Sequence, residues 1–151
     1  GGNYTLIGQT PAEEDVNLLV QWLKNTVNED IFYTDSLPRL YPDAHNFKNV
    51  ASGLLAIPIS KRNYVLWFRP EVIQTVNWGG DPSKAFEVKQ SNGSTRLCPR
   101  KSFELWKETV RLTSLPWRYV EIKAALELRK AIVNIVLRQA DELAQLAHDL
   151  E

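Results

Sequence analysis

Two short runs carry the side chains with the most chemistry to offer. In Pro99-Arg100-Lys101-Ser102-Phe103 an extended residue pair precedes Arg100. A planar guanidinium there can clamp a carboxylate through two parallel hydrogen bonds. Ser102 can cap a helix or exchange hydrogen bonds, and Phe103 is an apolar anchor. In Trp78-Gly79-Gly80-Asp81-Pro82 a large aromatic is followed by flexible and then rigid backbone. Gly79 and Gly80 do not make a phosphate loop, because neither GxGxxG nor GxxxxGKS/T is present and Asp81 follows them. They read as a backbone kink, which glycine permits. A third run, Trp106-Lys107-Glu108, has two readings. As a helix, Phe103, Trp106 and Val110 share a face. As a strand, Glu104, Trp106, Glu108 and Val110 share one face, with Phe103 and Leu105 on the other. Periodicity does not choose between them.

Other candidates for chemistry are few. His45 and His148 are the only histidines and stand far apart. Metal ligands come in clusters of defined spacing, so both read as solvated surface groups, and no metal site is expected. Cys98 lacks a CxxC partner; the adjacent Pro99-Arg100 makes a lowered thiol pKa conceivable, but an incidental thiol is the simpler reading. Glu13-Glu14 and Glu29-Asp30 fall at helix ends, where carboxylates serve capping, macrodipole and solubility roles. No nucleophile–base pair can be assembled by spacing, so no catalytic residue is assigned.

Composition gives no support to a catalytic or nucleic-acid-binding role. Eighteen basic residues balance eighteen acidic ones in 151, which gives no field favouring nucleic acid or an anionic membrane. No apolar run approaches the roughly 20 residues of a membrane helix. A single cysteine excludes an intrachain disulfide and fits a reducing, cytoplasmic setting. Methionine is absent altogether, which points to a processed piece of a longer protein, with Gly1-Gly2 read as a scar.

The elements that must position these groups are mixed. Tyr4 to Ile7 reads as a short strand. Thr10, Pro11 and Glu13 read as a capping box opening a helix from Pro11 to Val27, with Val16, Leu19, Val20, Leu23 and Val27 as its buried face. Ile31 to Tyr33 is β-prone, and Asp35-Ser36 precedes a brief helical turn running to Leu40. Ala44 to Val50 is irregular or a second short helix. Ser52 to Ser60 and Tyr64 to Arg69 form an antiparallel hairpin. Glu71 to Leu115 is far longer than an ordinary connection of about 4–6 residues, and too aromatic for a disordered linker. From Pro116 to Leu150 a helix about 50 Å long is expected. Ile122, Leu126, Arg129, Val133, Val136, Ala140, Leu143, Ala147 and Leu150 form a heptad seam with Arg129 as its polar interruption. A second stripe, Leu128, Ile132 and Ile135, is expected to cover the sheet.

The three runs resemble the hallmark motifs of the PHY domain of phytochromes, which that family displays as WGG and PRxSF with WxE behind them. The likeness extends to Leu6-Ile7-Gly8-Gln9-Thr10-Pro11, Thr34-Asp35-Ser36-Leu37, Ala51-Ser52-Gly53-Leu54-Leu55-Ala56-Ile57, Trp67-Phe68-Arg69-Pro70-Glu71 and Ser114-Leu115-Pro116-Trp117. It covers nearly the whole chain and is nearest to cyanobacterial phytochromes with a histidine-kinase output.

The resemblance implies an α+β, GAF-like fold over residues 3–151. A central, mostly antiparallel sheet is flanked by helices, with a long tongue insertion at about 71–115 and a long C-terminal signalling helix at about 116–150. The tongue is expected to seal the bilin pocket of the adjacent GAF domain of the same chain and to refold between hairpin and helix as red and far-red light interconvert two states. Arg100 would pair with a GAF aspartate in the red-absorbing state, and Ser102 would take that aspartate over after conversion. Trp78 and Trp106 would exchange places as packing anchors, and Glu108 belongs to the helical tongue. Gly79, Gly80, Pro99 and Phe103 complete the contact set. The signal would pass to a C-terminal output domain, with a homodimer through the C-terminal helix as a further option. The chain contains no PAS or GAF domain, and Cys98 is misplaced for chromophore attachment. The bilin is therefore expected in the full-length receptor and no cofactor in this fragment. The tongue, without its GAF partner, is expected to be poorly ordered or held by dimer contacts. The competing reading is a free-standing GAF-like domain that binds a small ligand or dimerises.

Overall fold

The run from Gly53 to Ile57 has no polar side chain on either face, so a strand made from it must be covered on both sides. The computed structural model, which describes residues 4–73, 87–89, 95–97 and 100–150, builds the fold around that requirement. Strand β2 (Gly53–Pro58) lies between β1 (Phe32–Thr34) and β3 (Tyr64–Arg69), antiparallel to both. Its register pairs Gly53 with Arg69 and Pro58 with Tyr64. Side chains alternate across the sheet. Leu54 and Ala56 join a core with Leu19 and Leu23 of α1 (Glu13–Thr26), Leu37 of α2 (Leu37–Leu40), and Tyr41, Ala44 and Phe47 around the 3₁₀ helix Pro42–Phe47. Leu55 and Ile57 face the other way, onto Ala125 and Ile122 of α4 (Tyr119–Asp149), with Trp67 and Trp117 beside them. The result is three layers: helix, sheet, helix.

Between β3 and α4 the described pieces are a small antiparallel pair, β4 (Glu87–Lys89) with β5 (Thr95–Leu97), and helix α3 (Arg100–Val110). Where the arm is described, Arg100–Val110 is a regular helix. The expectation of a poorly ordered arm falls mainly on residues outside those described.

Four local expectations are corrected. Tyr4 to Ile7 is not a strand: no partner strand lies beside it among the described residues, and Ile7 is exposed. It is fixed by the Tyr4 hydroxyl, which donates to Asn17 Oδ1 at 2.7 Å, and it turns at Gly8, whose φ is +72°. The first helix begins at Glu13 with Ala12 as N-cap and no side-chain cap; Thr10 Oγ1 instead donates to Pro11 O at 3.0 Å. The acidic Glu13, Glu14 and Asp15 complement the helix start electrostatically. Helix α4 starts at Tyr119 rather than Pro116, where the Arg118 N–H donates to Glu121 Oε1 at 2.8 Å. Finally, Leu128 and Ile135 are exposed. The sheet is covered by Ile122 and Ala125 instead, so the seam residue Ile122 belongs to the core rather than to an exposed stripe.

Candidate functional site: the arm root and its helix

Segments that leave a domain and return must be tied where they leave. Five contacts do this here. The Val72 N–H donates to Thr113 O at 2.7 Å, and the Ser114 N–H to Asp35 O at 2.8 Å. Arg39 Nη2 donates to Arg111 O at 3.2 Å. Glu71, only 3% exposed, accepts the Leu112 N–H through Oε2 at 2.7 Å. Leu112 sits at φ +64°, a left-handed conformation that a leucine adopts only when its surroundings hold it there. Fifth, Ser114 lies directly over Gly53; a Cβ on Gly53 would come within 2.1 Å of Ser114 Oγ.

The same root is joined to α4 through Arg69, the last residue of β3. Its guanidinium pairs with the Glu121 carboxylate, donates from Nη1 to Pro116 O at 2.7 Å, and lies 3.9 Å from the centre of the Trp117 ring. Such stacking over an indole is attractive. Trp117 in turn donates from Nε1 to Thr34 O at 3.1 Å. One arginine thus ties the strand entering the arm to the first turn of the long helix leaving it.

Glu121 is held below the usual carboxylate pKa, first by the Arg118 N–H and then by the charges of Arg69 and Arg118. A carboxylate with a depressed folded-state pKa contributes stability above its unfolded pKa, and that contribution is lost as pH falls through the folded value. We expect the unfolding midpoint of the wild type to fall more steeply than that of Glu121→Gln as pH drops below about 4.5, the ordinary value. Parallel curves from pH 6 to 3 would show that Glu121 contributes nothing to acid sensitivity.

The residues singled out in the sequence divide as follows. Trp78, Gly79, Gly80 and Pro99 lie outside the described residues, as does Cys98. Arg100 is the first residue of α3, and Ser102, Phe103, Trp106 and Glu108 follow within it. Of the two readings of this stretch, the structure takes the helical one. Phe103, Trp106 and Val110 are all half-buried, while Ser102 and Glu108 are exposed. The rings of Phe103 and Trp106 stack at 6.0 Å with an interplanar angle of 28°, and Lys107 Nζ lies 4.8 Å from the Phe103 ring centre. Ion pairs at i,i+3, Glu104 with Lys107 and Glu108 with Arg111, brace the outer face. Sequence reasoning missed Arg69, Glu71, Glu121 and Ser114. The only signal available was an arginine and a glutamate bracketing Pro70 at the end of an apolar strand.

Among the described residues no cluster of three or more His, Cys, Asp or Glu could hold a metal, and no helix is long and apolar enough to cross a membrane. An open groove of about 640 Å³ runs between the N-terminal segment and the outer side of β3. The space between sheet and helices is filled by side chains on both faces of β2.

Sheet, long helix and tied arm together make a mixed α+β domain. The profile of the family described as the phytochrome region (PHY) matches residues 1–141, and the chain belongs to that family. It is 81% identical to cyanobacterial phytochrome A of Nostoc sp. and 62% identical to the phytochrome-like protein Cph1 of Synechocystis sp., in each case over 100% of this chain and 20% of the relative. The chain thus spans about a fifth of the length of these relatives. Among solved structures it is similar to the Stigmatella aurantiaca phytochrome photosensory core module, with a TM-score of 0.62 and 46% identity over 91% of this chain and 27% of that one. It is also similar to a bacteriophytochrome of R. palustris, with a TM-score of 0.56 and 30% identity over 89% of this chain and 27% of that one.

Proposed function

We propose that this chain is the GAF-like relay domain of a red/far-red phytochrome. Its arm, the tongue at about 71–115, seals and senses the bilin pocket of the adjacent GAF domain. The helix at about 116–150 carries the change to a C-terminal output module, a histidine kinase in our reading, in a cytoplasmic receptor. The bilin belongs to that longer receptor. The exposed apolar stripe of α4, including Val136 and Leu143, is an apolar seam for a second copy.

The observation that carries the reading is the Arg69 junction. It places the arm root and the first turn of α4 in one hydrogen-bonded unit, so a change of strain in the arm acts directly on the helix. The helical form of Arg100–Val110 adds a second support. Positions two apart stand on one face of a strand but on nearly opposite sides of a helix. A refolding arm therefore cannot offer positions 100 and 102 to one carboxylate in the same way in both forms. The family resemblance supplies the roles in this reading: an arginine clamp at Arg100 is exchanged for a serine hydrogen bond at Ser102, with Trp78 and Trp106 exchanging as anchors and Glu108 serving the helical form.

The test is Arg100→Ala in the complete receptor. Formation of the light-activated state should be impaired, or its lifetime shortened, while the unfolding midpoint of the domain is unchanged. An unaltered photocycle overturns the clamp.

A further inference from the structure

Among the described residues helix α4 is attached to the domain at two polar points, and the second has no part in the reading above. The first is Glu121, gripped by Arg69. The second is Arg129, two turns on, which at 1.5 Å per residue is about 12 Å along the helix. Its Nε donates to Pro58 O at 2.8 Å, and its Nη2 lies 3.4 Å from Asp30 Oδ1. Pro58 is the last residue of β2, at the hairpin end, whereas Arg69 lies at the opposite end of β3. The helix is therefore pinned near both ends of the hairpin it crosses. One side chain ties three elements: the end of β2, the connection between α1 and β1, and α4.

What lies between and beyond the pins gives the second its meaning. Ile122 and Ala125 pack between them on Leu55 and Ile57. Ile132 and Val133 are half-buried, and every residue from Asn134 to Leu150 is exposed. Apolar packing has little directional preference, and ridges in grooves leave a crossing angle with about 15–20° of scatter, so it holds the helix down while fixing its angle only loosely. Hydrogen bonds are directional, and two of them set apart on a rigid rod fix the angle. Arg129 is the last of these before α4 leaves the body of the domain. The groups around it are of both signs: Lys24, Glu29, Asp30 and Lys61 line the same groove.

We propose that Arg129 is a positioning residue that sets the direction in which α4 leaves the domain, by donating to Pro58 O and pairing with Asp30. Its contribution is to angle more than to stability. The Asp30 pair is solvent-facing, with Asp30 72% exposed, and exposed pairs contribute little. The functional consequence rests on the relay reading: a fixed exit angle is what lets strain at the first pin reach the far end of the helix as a defined movement.

The test separates the two claims. In the 151-residue chain with Cys98→Ser, spin labels at positions 43 and 144 report the distance from the body to the overhang. Arg129→Met should broaden that distribution at least about twofold, with the melting curve nearly unchanged. Arg129→Lys, which keeps the charge facing Asp30 but loses the fork geometry, should fall between wild type and Arg129→Met. Asp30→Asn, at an exposed site, should broaden it in a chain whose folding is not in question. A wild-type distribution in Arg129→Met overturns the proposal, whatever becomes of the relay reading. In the complete receptor, Arg129→Met should leave absorption and photoconversion intact while the light–dark difference in output falls at least about twofold. An unchanged difference overturns the functional consequence. A failed Arg100→Ala test together with a broadened Arg129→Met distribution overturns the clamp and leaves the positioning role standing.

Discussion

Gly53→Ala should destabilise the domain strongly, because the added methyl group has no room. The new Cβ would stand 2.1 Å from Ser114 Oγ, 2.8 Å from Ser114 Cβ and 3.0 Å from Arg69 Cβ. Rotating the serine hydroxyl relieves the first contact but not the second, because Ser114 Cβ is fixed to a backbone that donates to Asp35 O. Gly53 opens the central strand and pairs with Arg69, so moving it disturbs both the ladder and the arginine that holds Glu121. Overpacking of this kind costs about 1–3 kcal/mol, and the loss here belongs at the upper end. For a chain of this size each kcal/mol moves the midpoint by roughly 2–4 °C, so a loss of about 3 kcal/mol gives a fall of about 6–12 °C. The cause is checked by a double-mutant cycle. Ser114→Gly alone should destabilise, yet added to Gly53→Ala it should raise the midpoint. Additive losses would place the strain elsewhere.

Glu71→Ala is the second large effect. Glu71 is buried, and its Oε2 is the acceptor for the Leu112 N–H. Removing the carboxylate leaves that donor without its partner, which costs about 1–3 kcal/mol. It also releases the constraint on Leu112, whose left-handed φ carries roughly 1–2 kcal/mol of strain. Two effects follow together: a midpoint lowered by about 2–12 °C, and accelerated amide exchange at Leu112 and at Val72, whose N–H donates to Thr113 O. Glu71→Gln retains an acceptor oxygen and should lose less than half as much. Equal losses in the two variants would show that the charge, not the hydrogen bond, holds the root.

The parts of this fold that could be read in the sequence are those whose partners are near in the chain or whose burial is complete. The β2–β3 hairpin was legible because an apolar run faces a second one across a short polar connection. The buried stripe of α1 was legible because Val16, Leu19, Val20 and Leu23 repeat at helical spacing. Phe103, Trp106 and Val110 were correctly grouped on one helical face, although spacing alone left a strand open. The failures have separate causes. Thr10-Pro11-Glu13 has the residues of a capping box, but the chain enters the helix two residues later and satisfies Thr10 locally. Tyr4 to Ile7 has strand-forming residues but no neighbour to pair with. The heptad seam treated Arg129 as an interruption, because periodicity registers only that a residue is polar, not that a carbonyl and a carboxylate await it. Arg69, Glu71 and Ser114 act across 41 to 61 positions of sequence, and no local pattern encodes a meeting at that range. The motif residues Trp78 and Arg100 were legible only through family likeness.

The clasp between Val72 and Thr113 has a consequence for how such a domain can change over generations. Closing a loop costs only about 0.6 kcal/mol more for each doubling of its length, and here the closure is made by the body's own backbone and Glu71. The sequence between the two jaws can therefore lengthen, shorten or be exchanged for another with little penalty to the scaffold. That makes residues 73–110 a replaceable cassette, and makes the few bonds at its base the part that must remain the same.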